Sequence, residues 1–324
     1  MYYFNSAVKS FLAKLFTVFL FIVLSISVQI LGASSATPAW NRFMTSQLLE
    51  INQQYCLIDC GEGTQYQLLN LKAKTAKIDY IFISHMHGDH IFGLPGLLSS
   101  MSLLGRTKEL YLIAPAELRD VLIAINRTSQ ASYNFPINFI ETQDAYATQV
   151  LENEYFSVTS VPLEHRVACC GFIFREKKKK NKLLAEKLPK GFPFELMKEL
   201  KEGKNVDWEE KEYLVEDYTA EPTAPLSYAF CSDTAYSENI LEHINGVDML
   251  YHEATFVESD IERAVKTRHS TASQAATIAS KANVKKLVIG HFSIRYKELN
   301  QLLEEAQSVF PETFLAIEGK IFTV

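Results

Sequence analysis

The chain has 324 residues, 48% of them hydrophobic and 22% charged, an ordinary globular composition with room for one large domain or two small ones. A net charge of −6 excludes a uniformly cationic nucleic-acid binder and leaves any contact with a polyanion to a local basic patch. The five cysteines (Cys56, Cys60, Cys169, Cys170, Cys231) are scattered without a CxxC pair, which excludes a disulfide framework and reads as buried thiols in a reducing, cytoplasmic compartment.

Residues 1–31 open with Lys9 and Lys14 ahead of an apolar run, 15–24, laid out like a signal peptide or a short membrane anchor. Residues 26–31 alternate as a strand and run without a linker into Gly32-Ala-Ser-Ser-Ala-Thr-Pro38. The folded domain is therefore expected over 25–324, with 1–24 a hydrophobic extension outside it that arises from a misplaced start site. A strand pair is predicted over 47–52 and 55–59, about a polar turn at Gln53-Gln54. Asp59 ends that pair ahead of a helix over 65–71, and its carboxylate is either an N-cap or an acceptor for a neighbouring ligand loop.

The apolar run 80–83 reads as a buried strand that empties into Ser84-His-Met-His-Gly-Asp-His90. Extended backbone points His85 and His87 the same way, while Gly88 lets the chain turn and present Asp89 and His90 from another direction. Imidazole and carboxylate ligands without thiolates suit zinc, manganese or iron, and two ions need further ligands from elsewhere. A helix over 91–104, a strand over 110–114, a helix over 116–126 and a strand over 137–141 follow. The strand 156–162 then delivers His165 to a chain still short of ligands.

Residues 175–190 carry eight basic and two acidic side chains, and 191–220 carry four basic and nine acidic, with the core periodicity suspended. This reads as a protruding insertion, either a solvated excursion or an arm whose Lys177, Lys178, Lys179 and Lys180 meet a phosphate backbone. Strands over 228–231, 249–253 and 287–291 restore the core and end at Asp233, Glu253 and His291. His269 sits in a loop before a helix over 272–282, whereas His243 falls inside a helical pattern as a bystander. No repeat of fixed period is present, and the two halves suit two sheets packed together.

These segments resemble the metallo-β-lactamase fold and, within it, the ribonuclease Z family. The resemblance spans 26–324: LGASSATP at 31–38, LIDCGEGTQ at 57–65, SHMHGDHIFGLPGLL at 84–98, His165, CSDT at 231–234, HEATF at 252–256, HST at 269–271 and GHFSIRY at 290–296. The HxHxDH run marks only the superfamily, whereas HEATF, HST and GHFSIRY together are more specific. The resemblance implies an α/β, four-layer αββα sandwich with an arm inserted at about 175–225. It implies one metal held by His85, His87, His165 and Asp233 and a second by Asp89, His90, His291 and the same Asp233. That is two Zn2+ per subunit, with Mn2+ or another divalent ion as the alternative.

The activity it implies is endonucleolytic removal of the 3′ trailer from precursor tRNA after the discriminator nucleotide, leaving a tRNA 3′-hydroxyl and a 5′-phosphate on the trailer. Family members are homodimers in which one subunit's arm holds the tRNA cut by the other. For such chemistry His269 is the candidate proton donor to the leaving 3′-oxygen, with Glu253 holding its other ring nitrogen. Asp89 is a second candidate, accepting the proton from water, and Ser293 and Arg295 are candidates for the phosphate oxygens. The chain departs from the family in its hydrophobic N-terminus and in Glu221-Pro-Thr-Ala-Pro-Leu226, where a Pro-Pro-Lys-Gly-Arg-like stretch is common. The rivals are a phosphodiesterase of the same fold acting on a small ester, a tRNA-binding protein that lost catalysis, and a hydrolase tethered to a membrane through 1–24. The basic arm argues against the first, the complete ligand set against the second and the cysteine usage against the third, so no stable membrane partner is expected unless the extension 1–24 is genuine.

Overall fold

The computed structural model describes residues 26–324, so the hydrophobic stretch 1–24 lies outside the described residues. Two seven-stranded sheets make up the framework. The first sets β1 (Ser27–Gly32), β2 (Ser46–Ile51), β3 (Gln54–Ile58), β4 (Ile78–Phe82), β5 (Leu110–Ala114) and β6 (Ile137–Glu141) side by side. The second sets β7 (Thr148–Glu152), β8 (Phe156–Pro162) and β9 (Cys170–Glu176) beside four strands from later in the chain. Between them in sequence lies an excursion with β10 (Lys182–Leu183), β11 (Val206–Trp208), β12 (Lys211–Tyr213) and β13 (Thr219–Ala220). The later strands are β14 (Ser227–Cys231), β15 (Met249–Glu253) and β16 (Leu287–Gly290), with β17 (Thr313–Leu315) at the edge, while β18 (Ile321–Thr323) returns to pair with β1.

Each sheet joins an antiparallel half to a parallel half. Strands β3 to β6 run parallel, as do β14 to β17. Parallel strands send their carboxyl ends to one edge, where layered α/β folds gather ligands. The β2–β3 hairpin turns at Asn52 and Gln53, both with positive φ, one residue earlier than the sequence suggests. Two left-handed residues match the twist of the strands they connect.

The inner faces of the sheets interlock through aromatic rings. Phe82 meets Phe172 and Phe174 edge-on, each at 5.1 Å between centroids, and the buried Tyr228 hydroxyl donates to Gln47. Helices Thr64–Asn70, Leu94–Leu103 and Glu117–Ser129 cover the outer face of the first sheet, around Leu31, Leu57, Ile81 and Leu112. Helices Ala272–Lys281 and Asn300–Val309 cover the second, where Ala275, Ala276 and Ala279 permit close approach. The four-layer αββα sandwich is thus as expected. Among the described residues, no helix is long and apolar enough to cross a membrane, and all five cysteines are buried and unpaired.

One local reading needs correction. The helix expected over 91–104 is broken into a single turn, Gly88–Ile91, and the helix Leu94–Leu103. Pro95 lacks an N–H and belongs in a first turn, so a new helix begins there. Gly93 is pinned in the break, donating its N–H to the Cys60 carbonyl at 2.9 Å, and a Cβ on it would come within 2.2 Å of the Gly61 carbonyl oxygen. The excursion after β9, where the core periodicity is suspended, has a small cluster of its own. Phe192, Leu200, Val206 and Tyr213 form a core of their own beneath helix Phe194–Lys201.

Candidate metal centre

Strand ends from both sheets meet at one edge of the sandwich, and they deliver two groups of donors, while His269 also comes within reach of Asp233 and His291 in a third, overlapping set. In the first, His87 Nδ1 lies 3.0 Å from His85 Nε2 and 3.3 Å from His165 Nε2, and Asp233 Oδ2 lies 3.6 and 3.8 Å from the His85 and His165 nitrogens. In the second, His90 Nε2 and His291 Nε2 lie 3.6 and 3.4 Å from Asp89 Oδ2 and 3.4 and 3.1 Å from Asp233 Oδ1. Ligands held at about 2.0–2.1 Å around a tetrahedral ion are separated by roughly 3.3–3.4 Å. Both groups have that spacing, and Asp233 belongs to each through a different oxygen.

The chemistry of the donors agrees with their geometry. His90 Nε2, His291 Nε2 and Asp233 Oδ1 are buried without a hydrogen-bond partner among the described residues. Burying such atoms unsatisfied costs about 1–3 kcal/mol each. Three orphans aimed at one another fit divalent cations, and these residues could hold a metal. Burial opposes ionisation of Asp233, but the imidazoles of His291, His90 and His85 outweigh it and hold the carboxyl well below its ordinary range. For His90 burial works against the charge, yet Asp233 and Asp59 raise its pKa well above the ordinary value.

A second set of contacts fixes the rings. His90 Nδ1 donates to Asp59 Oδ2 at 2.7 Å, and Asp59 also accepts the Ser84 N–H at 2.8 Å and the Ser84 hydroxyl at 3.0 Å. No side chain caps helix Thr64–Asn70, so of the two roles open to Asp59 the acceptor role is the one observed. His165 Nδ1 donates to the Arg268 carbonyl at 2.9 Å, and His291 Nδ1 lies 2.9 Å from Thr255 Oγ1. Asp59 and His291 both occupy the left-handed region, at φ 54° and 61°, strain of the kind that collects at working sites.

Beside the donors, His269 Nδ1 lies 2.8 Å from Glu253 Oε1. Glu253 is fully buried and accepts the backbone N–H groups of Thr234 and Ser270 on Oε1, and the N–H and hydroxyl of Thr255 on Oε2. Burial disfavours a charged His269, but the Glu253 carboxylate prevails and raises its pKa to about 9.

The cleft in front of these groups has a volume of about 860 Å³. Its walls include Asp89, Asp233, His269, His291, Ser293 and Arg295, all anticipated from sequence, and Phe92, Arg166, Phe256 and Arg263, which were not. Arg166 follows His165 directly, and a cation beside a ligand was the one available signal. Ser293 is buried, with its Oγ accepting the Arg295 N–H at 3.4 Å, while Arg295 is exposed. Lys177, Lys178, Lys179 and Lys180 stand at the root of the excursion rather than in the cleft. Lys177, Lys179 and Lys180 are ion-paired there with Glu152, Glu176 and Glu202. His252 is buried in β15 and joins neither donor group, and His243 stands apart.

A family model described as anti-Pycsar protein Apyc1 matches residues 26–180. Over a longer span the chain is 42% identical to ribonuclease Z of Parabacteroides distasonis, across 92% of this chain and 98% of that one. This chain belongs to the ribonuclease Z family. Human tRNase Z, short form, matches the fold of this ribonuclease Z family member with a TM-score of 0.67 at 24% identity, covering 91% of this chain and 98% of that one. The metallo-β-lactamase fold protein YhfI from Bacillus subtilis matches with a TM-score of 0.65 at 18% identity, covering 93% and 100%. The sandwich is the metallo-β-lactamase fold.

Proposed function

We propose that this ribonuclease Z family member is a zinc-dependent endoribonuclease that removes the 3′ trailer from precursor tRNA, cutting after the discriminator nucleotide. The observation that carries the reading is the pair of donor groups sharing Asp233 beside a cleft whose wall holds His269 against the Glu253 carboxylate. His85, His87, His165 and Asp233 would hold one Zn2+, and Asp89, His90, His291 and Asp233 the other, with Mn2+ or another divalent ion as the alternative. Bound there, two dications would supply acidification of water and neutralisation of phosphate charge.

The remaining steps fall to side chains. Asp89 accepts the proton of the attacking water, its Oδ2 being steadied by the Ala36 N–H at 2.7 Å. His269 gives its Nε2 proton to the departing 3′-oxygen, and Glu253 keeps the ring charged and aimed. Ser293 and Arg295 meet phosphate oxygens at the rim. Products are a tRNA with a 3′-hydroxyl and a trailer with a 5′-phosphate.

The body of the tRNA is held by the arm, with Lys177 to Lys180 at its root. A homodimer brings the arm of one subunit over the site of the other, and an exposed apolar face supports that assembly. Tyr66 and Leu69 on helix Thr64–Asn70 and Leu103 and Leu104 at the end of helix Leu94–Leu103 are exposed, and these two helices are joined by the Gln65–Ser100 hydrogen bond at 2.6 Å. Five unpaired buried thiols favour the reducing cytoplasm.

The test is to incubate the metal-loaded protein with precursor tRNA bearing a trailer, beside a small chromogenic phosphodiester. A single cut after the discriminator is expected. Hydrolysis of the small diester alone would move the function to a small-molecule phosphodiesterase.

A further inference from the structure

We propose that Trp40 is a stacking shelf for an unpaired trailer nucleotide beside the scissile phosphate, a reading that rests on the RNA-processing function above. The chain has two tryptophans, and their settings differ. Trp208 packs in the arm core against Phe192, at 5.1 Å between centroids, whereas Trp40 is 53% exposed. It is nonetheless held in place. Its Nε1–H donates to the Ile294 carbonyl at 2.8 Å, and the Lys297 ammonium lies 5.7 Å from its ring centroid.

The loop that carries it is bent at a cost. Ala36, Trp40 and Asn41 have φ of 55°, 57° and 61° without a glycine among them, conformations that persist only where surrounding contacts impose them. Those contacts lead to the metal groups on both sides. The Ala36 N–H donates to Asp89 Oδ2, the Ser35 N–H donates to the Phe292 carbonyl at 3.1 Å, and Arg42 Nη2 donates to the Tyr296 carbonyl at 2.6 Å. Trp40 is thereby fixed in relation to Asp89 and to the segment that follows His291. Its neighbours Thr37, Pro38, Ile294 and Arg295 line the cleft rim.

An indole with Lys297 over its ring, hydrogen-bonded to the segment that carries Arg295, combines the two elements by which proteins hold single strands, and neither cation has an ion-pair partner among the described residues. An aromatic face takes a base and nearby cations take the backbone. The strand that fits is the trailer. On the mature side of the cut the acceptor stem already stacks its bases within a duplex, whereas trailer bases are unpaired and have free faces.

The test compares wild-type, Trp40→Phe and Trp40→Ala holoenzymes on three substrates: precursor tRNA, the same RNA with single abasic sites along the trailer, and the small diester. Trp40→Ala should lower kcat/KM for the RNA roughly 5- to 150-fold, the span to which a stacking energy of about 1–3 kcal/mol converts, mostly through KM. Trp40→Phe should recover most of that loss, and the small diester should be cut equally by all three proteins. One abasic trailer position should harm the wild type and leave Trp40→Ala no worse, because base and shelf act as a unit. RNA cleavage unchanged by Trp40→Ala, equal loss on the small diester, or additive losses from abasic site and mutation would overturn the shelf while leaving the RNA function standing. A wild-type protein that cuts only the diester would overturn both.

Discussion

At the scale of single residues, the His269–Glu253 pair makes the sharpest statement about pH. With Glu253 fully buried and engaged by four hydrogen-bond donors besides the ring, its carboxylate is fixed, and the His269 pKa rises to about 9. The charged acid is thus present up to about pH 9 and is lost above it, and bound dications can only draw that limit downward. An alkaline limb in kcat/KM at or below pH 9 is expected, moving to lower pH in Glu253→Gln, where nothing anchors the charge. His269→Ala should lose roughly 10²–10⁴-fold in turnover while retaining its metal. A limb unmoved by Glu253→Gln, or His269→Ala at full turnover, would remove the pair from the mechanism. Asp233→Ala presents the opposite profile. Both donor groups use this side chain, so both ions should be lost, and metal analysis showing full occupancy would break the shared assignment. The donor residues were legible in the sequence because each follows a short apolar run that reads as a strand by itself. Phe92, Arg166, Phe256 and Arg263 were not, because the cleft walls join segments far apart in the chain, and all but the buried Phe256 are exposed side chains that leave no periodic trace.

At the scale of elements, legibility followed burial pattern. β4, β5, β8 and β14 are dense in β-branched and aromatic residues and were readable, whereas β7 is half exposed and β9 runs directly into the basic stretch that marks the excursion. The arm's own core escaped notice because its apolar residues are spread over strands of two or three residues and one short helix, too short for any period to emerge. That independent core makes the arm separable. It joins the sandwich at the β10–β13 pair, and the buried Glu176 carboxylate below it binds Asn52 Nδ2 and the Leu226 N–H, both at 3.0 Å. Replacing residues 181–220 by a short linker leaves those contacts in place. The shortened protein should fold, hydrolyse the small diester as before, and raise KM for precursor tRNA by roughly tenfold or more, with a shallower dependence on salt because fewer phosphates are neutralised. Single substitutions of Lys177, Lys179 or Lys180 should do far less. Lys177 and Lys180 already sit in surface ion pairs, which contribute only about 0–1 kcal/mol, and Lys179 is engaged by the buried Glu176 carboxylate. An equal loss on both substrates after arm removal would show that the arm supports the site rather than the RNA.

At the scale of the whole molecule, the donors divide between the sheets. His85, His87, Asp89 and His90 follow β4 in the first, while His165, Asp233 and His291 follow β8, β14 and β16 in the second. Ions held there would fasten the two halves together, so metal binding would also be folding energy. At a free metal concentration about a thousand times Kd, binding adds about 4 kcal/mol, which for a domain of this size shifts Tm by roughly 8–16 °C. The shift should depend on pH in a definite direction. In the metal-free chain the His90 pKa is raised well above its ordinary value by Asp233 and Asp59, against the effect of burial, and that of His269 is raised to about 9 by Glu253, likewise against burial. A raised folded-state pKa gives stability that is complete below the unfolded-state value, near 6.5, and is lost as pH climbs through the folded-state value. Metal binding needs His90 neutral, so a proton competes with the ion near neutral pH and is released when the ion binds. Raising pH from about 7 to 9 should therefore weaken the metal-free protein while strengthening metal binding, and the gap in Tm between metal-loaded and chelated protein should widen. Calorimetric titration of metal in buffers of different ionisation enthalpy should show the released proton. A gap that narrows with pH, or binding without proton release near pH 7, would mean that His90 is already neutral in the metal-free fold and that the carboxylates around it do not govern its charge.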